Sequence, residues 1–198
     1  MPIIPQLFLN DEFLIDQKVN YFKFENHYKI FDKQGNQIGS VGQKMPGWQK
    51  FLTLLISKKM MPFHLEIEDA TGGTLVTIKR GWTFLFSKVE VLDQNDSTIG
   101  YFNQKFSLTN SVFKITEPSG SVVGEIRGSW TAWDFKISDA SGQVIGTVNK
   151  KWAGALKEIF TDSDKYYVSI DPNFKENEHK MVLLSAALAI DMILKENK

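Results

Sequence analysis

The C-terminal part of the chain carries an apolar run that restricts the fold more than any other feature. Residues 181–194 form fourteen positions that only Ser185 and Asp191 interrupt with polar side chains. A helix that is apolar on all sides must be buried in a protein core or in a membrane. Its length would be about 21 Å, against roughly 30 Å for a hydrocarbon layer, and Asp191 would make insertion costlier. Burial inside the protein is the favoured interpretation, and a membrane span is the alternative.

The chain ahead of this run repeats one pattern. Five segments alternate apolar and polar residues, then show an acidic residue, a turn and a second strand: 28–39, 65–76, 89–100, 113–124 and 135–146. This pattern is typical of β-hairpins. The positive φ that such turns need can come from Gly35, Gly72, Gly120 and Gly142, with Asp96 in the third copy. A glycine in the second strand suits a bend, a bulge or the close approach of another backbone in four copies: Gly39, Gly100, Gly124 and Gly146.

The whole pattern predicts a mainly β fold. We expect about twelve short strands, near 13–18, 27–32, 37–43, 63–69, 74–80, 86–93, 97–105, 111–117, 121–128, 133–139, 143–150 and 165–171. Helices are predicted over 48–56, 152–160 and 178–195. An antiparallel barrel of about twelve strands is too wide for its own side chains to fill, so the hydrophobic C-terminal helix is expected at its centre. No linker divides the chain, and we expect one domain over 1–198 with a core of about 13–195.

Composition excludes several classes of protein. There are no cysteines, which excludes disulfides, thiolate metal sites and cysteine nucleophiles. The formal net charge is zero, which argues against a strongly basic nucleic-acid binder. The three histidines have no metal-ligand spacing, and no Walker or Gly-x-Ser-x-Gly sequence is present, so we expect no enzyme. Residues 1–8 show no basic run before an apolar stretch, so we expect no signal peptide and favour a cytoplasmic location.

One segment resembles a known family. Residues 150–164 read Lys-Lys-Trp-Ala-Gly-Ala-Leu-Lys-Glu-Ile-Phe-Thr-Asp-Ser-Asp, and the apolar helix follows with its Ile190-Asp191 pair. Together they resemble the C-terminal portion of the phospholipid scramblase family, which shares the tubby-like fold with the plant LURP-one-related proteins. The resemblance implies a twelve-stranded barrel around a C-terminal helix, in agreement with the separate argument from periodicity. It also implies a structural role for four residues: Trp152, Gly154, Phe160 and Asp191.

The same resemblance raises the question of calcium. In the scramblases the stretch after Phe-Thr has been interpreted as a calcium loop, and here that stretch begins with Asp162 and Asp164. An EF-hand requires glycine at position 6 and glutamate at position 12, where this chain has Tyr167 and Asn173. The favoured interpretation is an acidic turn with no cofactor. Weak calcium binding through Asp162 and Asp164 is the alternative.

A second candidate site is a set of basic residues in acid-free stretches. No acidic residue occurs over 33–65 or over 70–89, although aromatic residues interleave with the basic ones. Cations beside aromatic side chains suit an anionic lipid surface. We assign possible headgroup contacts to Lys44, Lys50, Lys58, Lys59, Lys79 and Arg80. Phe84 and Phe86 alternate as in a strand and are predicted to lie in the core.

These observations favour peripheral association with phospholipid membranes, with an anionic lipid surface as the partner. Acidic residues concentrate in other parts of the chain, so a zero net charge can conceal a dipolar molecule. Lipid translocation is disfavoured, because a helix that fills the barrel cannot also span a bilayer. The alternative function is a soluble module that binds another protein or, less favoured, a nucleic acid, without lipid activity.

Overall fold

The chain folds into a closed antiparallel β-barrel of twelve strands around one C-terminal helix. The computed structural model describes residues 4–18, 27–52, 55–57, 60–107, 110–129, 131–150 and 165–195. Each strand pairs with its neighbours in the sequence, and β1 (Glu12–Lys18) closes the barrel against β12 (Lys165–Ile170). That closing register runs from Glu12 opposite Ser169 to Asp16 opposite Lys165.

The strand bounds agree closely with the sequence pattern. Between the two closing strands lie β2 (His27–Phe31), β3 (Gln37–Gln43), β4 (Phe63–Asp69), β5 (Thr74–Arg80), β6 (Lys88–Asp93), β7 (Thr98–Lys105), β8 (Ser111–Thr116), β9 (Val122–Ser129), β10 (Asp134–Asp139) and β11 (Val144–Asn149). A short 3-10 helix, Gln6–Leu9, precedes β1 and buries Leu7 and Phe8. The fold class predicted from periodicity and helix length is confirmed.

The five repeated segments form five turns of one design. In each, the leading acidic residue donates its backbone N–H to the residue four positions on, and its own carbonyl accepts the N–H three positions on; the leading residues are Asp32, Asp69, Asp93, Glu117 and Asp139. The predicted positive φ is present at four glycines, 87° to 90°, and at Asp96, 58°. Four of the carboxylates also bond the turn's own amides, an arrangement typical of Asx turns.

Glycines in the second strands allow close packing of backbones. A Cβ on Gly124 would overlap the carbonyl oxygen of Ser138, and one on Gly146 would overlap that of Ser169. A Cβ on Gly100 would lie 3.0 Å from the carbonyl oxygen of Thr116 and 3.0 Å from the Val182 side chain of the central helix. The predicted close approach of another backbone is therefore confirmed.

The C-terminal helix α2, Asn177–Lys195, fills the barrel. Every residue from Lys180 to Leu194 is buried. Its N-terminal part lies at the end of the barrel that carries the five turns, where the Lys180 ammonium approaches the Asp11 carboxylate to 2.5 Å and His179 lies 3.1 Å from Glu117. Its C-terminal part lies at the opposite end. We call these the turn end and the loop end.

Two polar groups inside the barrel have bonding partners. The Ser185 hydroxyl donates to the Met181 carbonyl oxygen at 2.7 Å. The Asp191 carboxylate accepts a hydrogen bond of 2.9 Å from the Tyr28 hydroxyl, which in turn accepts one of 3.4 Å from Gln17. Burial raises the pKa of Tyr166 well above its ordinary value, and the charge of Asp191 adds to that shift. The hydrogen bond between Asp191 and Tyr28 ties α2 to β2, and Gln17 extends the link to β1.

The two other predicted helices have different outcomes. The helix predicted over 48–56 is present in shorter form as α1, Gly47–Leu52, and the described residues 55–57 are not helical. The helix predicted over 152–160 lies outside the described residues.

The turns predict a specific loss of stability in acid. Hydrogen bonds from Thr71 lower the pKa of Asp69, and those from Ser141 lower the pKa of Asp139, below the ordinary value of 3.8. A depressed pKa in the folded state stabilises the fold above the unfolded pKa, and that contribution is lost as pH falls through the folded pKa. In the double variant Asp69→Asn, Asp139→Asn, we expect the urea midpoint to fall less between pH ~5 and ~2 than in the unsubstituted protein. An equal fall of the urea midpoint in the two proteins would contradict this role of the turns.

Candidate functional site

The loop end of the barrel differs from the turn end in charge. Four neighbouring connections there, 44–62, 81–87, 106–110 and 130–133, contain no aspartate or glutamate. The five turns at the opposite end each begin with an acidic residue. The strand order places these four connections side by side around the barrel. The acid-free character therefore belongs to these four connections. The segments 19–26 and 151–164, which lie outside the described residues, contain Glu25, Glu158, Asp162 and Asp164.

The loop end also exposes large apolar side chains. Phe84 is 80% exposed and Leu85 is 85% exposed. We call the full set the apolar patch: Trp48, Phe51, Leu55, Trp82, Phe84, Leu85, Phe86 and Phe106. Large apolar side chains exposed in neighbouring connections at one end of a barrel indicate an interaction site.

Hydrogen bonds hold the loops of the patch together. The backbone N–H of Thr83 donates to the carbonyl oxygen of Met60 at 3.1 Å, which joins the loop after β5 to the loop before β4. The Thr83 hydroxyl donates to the Phe86 carbonyl oxygen at 2.8 Å and closes the turn that presents Phe84 and Leu85. The rings of Phe86 and Phe106 meet edge to face, with centroids 6.5 Å apart. These contacts link the three connections that carry the patch.

The prediction that Phe84 and Phe86 lie in the core is wrong. Both belong to the connection between β5 and β6, and both are exposed. The strand ends at Arg80, where the ladder with Val89 of β6 stops. Residues 82–86 lie beyond this ladder, so neither set of their alternating side chains is covered by the core.

Arg80 is also not available to a lipid headgroup. Its residue is 3% exposed, and the guanidinium donates to the Met61 carbonyl oxygen at 2.5 Å and to the Ser87 hydroxyl at 3.3 Å. It lies 4.6 Å from the centroid of the Phe63 ring. Its contacts brace the base of the two loops that carry the patch.

Two of the predicted lysines have acidic neighbours. The Lys44 ammonium lies 3.3 Å from Glu66 and 3.6 Å from Glu68, and the hydrogen bond with Glu66 raises the pKa of Lys44. Lys79 lies on the outer face of β5, 3.9 Å from Asp96. Their charge is partly balanced, so they are weaker candidates than the sequence suggests.

The remaining basic residues lie close to the patch. Lys50 belongs to α1, next to Phe51. Lys88 and Lys105, which the predicted set omits, are both exposed. Lys88 begins β6 two residues after Phe86, and Lys105 ends β7 directly before Phe106. The Lys88 ammonium lies 4.8 Å above the Tyr101 ring. Lys58 and Lys59 lie outside the described residues.

Of the other predicted site residues, the structure describes only Asp191. Asp162 and Asp164 lie outside the described part of the chain, as do Trp152, Gly154 and Phe160. Asp191 is buried and bonded to Tyr28. Within the described ranges, no group of three or more His, Cys, Asp or Glu side chains could hold a metal ion. An acidic turn without a cofactor therefore stays the prediction for 162–164, with weak calcium binding as its alternative.

Comparison with known proteins identifies the family. The sequence profile of the Scramblase family matches residues 4–197. The chain belongs to the Scramblase family. The resemblance inferred from residues 150–164 and from the apolar helix is thereby confirmed.

A curated relative from yeast supports the same relationship. The Saccharomyces cerevisiae protein named altered inheritance rate of mitochondria protein 25 is 22% identical over 200 residues. The alignment covers 86% of this chain and 61% of that protein, so this chain spans less than two thirds of its relative's length.

A solved structure supports the fold. A protein from Arabidopsis thaliana superposes with a TM-score of 0.54 over 96% of this chain and 98% of its own, at 11% identity. This likeness concerns the fold alone. In the described part of this scramblase-family chain, no helix combines the length and the apolar character that crossing a membrane requires.

Proposed function

We propose that this scramblase-family protein associates peripherally with anionic phospholipid membranes, with the loop end of its barrel facing the lipid. The observation that carries the proposal is the apolar patch, which gathers exposed aromatic and leucine side chains at one end of the molecule. Family membership supports a lipid-related role. The proposal is limited to binding, because α2 fills the barrel.

Apolar burial supplies the larger share of the expected affinity. Removing a leucine or phenylalanine side chain from water contributes about 1.5–3 kcal/mol when burial is complete. Phe84 and Leu85 stand at the tip of their turn and would enter the acyl region first. Trp48 and Trp82 belong to the same patch, and tryptophan side chains favour the headgroup level.

Electrostatics would orient the molecule. Each lysine close to an anionic surface contributes about 1 kcal/mol. Lys50, Lys88 and Lys105 accompany the patch, whereas the turn end carries the acidic residues of the hairpin turns. An anionic surface would attract the loop end and repel the turn end.

The alternative function receives less support. A nucleic-acid site requires a basic stripe that can follow phosphates. Here Lys44 and Lys79 are partly balanced by acidic neighbours, and Arg80 is buried. A protein partner on the same patch is one outcome of the test.

Vesicle co-sedimentation tests the proposal. The chain should sediment with vesicles of phosphatidylcholine containing about a third phosphatidylserine, and less with pure phosphatidylcholine vesicles, since anionic lipids add attraction. Raising the salt concentration from about 0.05 M to about 0.5 M should weaken binding without abolishing it, because screening leaves the apolar contribution. The same vesicles should shift tryptophan emission to shorter wavelength as Trp48 and Trp82 leave water.

Two results would overturn the proposal. One is no sedimentation with anionic vesicles at low salt. The other is binding that disappears completely at high salt with no change in tryptophan emission, which would indicate charge attraction without insertion of the patch.

A further inference from the structure

A cavity lies at the turn end, opposite the apolar patch. It has a volume of about 540 Å³ and lies between the 3-10 helix, the β2–β3 turn and the β4–β5 turn. Five apolar residues contribute to its wall, of which Leu7, Ile38 and Leu75 are the large aliphatic ones and Pro5 and Ala70 are the others. Carboxylates and amides complete the lining, among them Asp32, Asp69, Asn10 and Gln37. It is a surface cavity, separate from the interior that α2 fills.

The apolar wall depends on one glycine. A Cβ on Gly39 would lie 2.6 Å from the Leu7 side chain and 2.6 Å from the carbonyl oxygen of Glu68. Gly39 faces Asp69 across the ladder of β3 and β4. The absence of a side chain lets Leu7 pack directly against the sheet beside that carboxylate. An apolar surface and a fixed negative charge therefore adjoin each other.

The two carboxylates are held in place by their own turns. Asp69 accepts hydrogen bonds from the N–H groups of Thr71 and Gly73 at 2.8 and 2.9 Å. Asp32 accepts from the N–H groups of Gln34 and Asn36 at 2.9 and 2.8 Å. Burial acts to raise the pKa of Asp32, but the hydrogen bonds from Asn36 prevail and lower it; the hydrogen bonds from Thr71 lower that of Asp69. Both groups stay ionised at neutral pH.

We propose that this cavity binds a basic peptide segment of a partner protein, with one apolar side chain seated against Leu7, Ile38 and Leu75 and flanking lysines or arginines beside Asp32 and Asp69. Charge complementarity identifies the occupant. All five hairpin turns at this end begin with an acidic residue, and Asp93 continues the negative surface next to the cavity through the small pocket that shares Pro5 and Leu75. An apolar group between two cations matches the cavity better than a compact inorganic cation, which would leave the apolar wall uncovered.

Fluorescence anisotropy with a defined peptide tests the proposal. The probe is a fluorescein-labelled peptide of sequence Gly-Lys-Lys-Leu-Lys-Lys-Gly. Replacing its leucine by alanine should weaken binding, and replacing its lysines by glutamates should abolish it. In the double variant Asp32→Asn, Asp69→Asn, the dissociation constant should rise by about tenfold, since two charge contacts are lost. Asparagine retains the carbonyl oxygen that the turn amides bond, so the turns should persist.

The control variant removes the same charge from turns that do not line the cavity. Asp139 and Glu117 lead equivalent hairpin turns, and Asp139→Asn with Glu117→Gln should change the dissociation constant by less than about twofold. Equal losses in the two double variants would overturn the proposal in favour of a diffuse acidic field. An undetectable anisotropy change at millimolar protein, or no difference between the leucine and alanine peptides, would also overturn it. The assay contains no lipid, so its result is independent of membrane binding.

Discussion

Replacing Ala187 with arginine should prevent the protein from folding. Ala187 is 1% exposed and lies on α2 inside the closed barrel. An unpaired charge buried in an apolar interior costs several kcal/mol, and total stability of a domain is about 5–15 kcal/mol. The longer side chain also overpacks a filled core, which adds about 1–3 kcal/mol. Far-ultraviolet circular dichroism and a thermal melt should show no cooperative transition.

Ala140→Arg is the matched control for that substitution. Ala140 is exposed in the β10–β11 turn, so the same chemical change should leave the melting temperature nearly unchanged. A cooperative, unshifted melt for Ala187→Arg would contradict the central placement of α2 and, with it, the reason for limiting the proposed function to binding.

Replacing Phe84 and Leu85 together with serine should remove most of the membrane binding. Both side chains stand at the tip of the turn that Thr83 closes. Because they are 80% and 85% exposed, they contribute little to the core. Loss of two inserted apolar side chains, worth about 3 kcal/mol or more together, should lower the vesicle partition coefficient by at least about a hundredfold, because each tenfold step is worth about 1.4 kcal/mol. The melting temperature should stay nearly constant, since the side chains already face water. Co-sedimentation with the same anionic vesicles measures the change.

Val122→Ser with Val144→Ser provides the comparison. These valines are also exposed, at 41% and 50%, but they begin β9 and β11 at the turn end. Their replacement should leave vesicle binding unchanged if the loop end faces the lipid. A similar loss in both double variants would mean that binding follows total exposed apolar area, without the orientation that we propose.

The local sequence was sufficient to predict the barrel. Period-two alternation defines each strand, and a turn needs its positive φ at one fixed position, which is why Asp96 could be assigned the place that glycine holds elsewhere. The length of the apolar run then separates a buried helix from a membrane span. Strand alternation, turn positions and the length of an apolar run all depend on residues that are close in the sequence, so a single sequence is enough to recognise them.

The exposure of Phe84 and Phe86 could not be predicted in the same way. Alternation in 82–86 shows that two faces differ but not whether either face is covered, and coverage depends on where the ladder of β5 and β6 ends. Arg80 looks like a surface cation in the sequence, although its position two residues after Ile78 places it on the inward face. That register is the signal that could have identified its burial.

Charge balance needed the pairing of distant strands. Lys44 belongs to an acid-free stretch of sequence, yet the folding of β3 beside β4 brings it to Glu66 and Glu68. Cross-strand contacts of this kind follow from register and become visible only when the sheet is assembled.

The position of α2 after every strand in the chain has a consequence for biogenesis. During synthesis from the N-terminus, all twelve strands leave the ribosome before the segment that fills them. Until then their inward faces have nothing to pack on, and β1 cannot close against a β12 that is itself late. For most of translation the nascent sheet should therefore remain open and expose its apolar inward face and unpaired strand edges. Chaperones recognise such states.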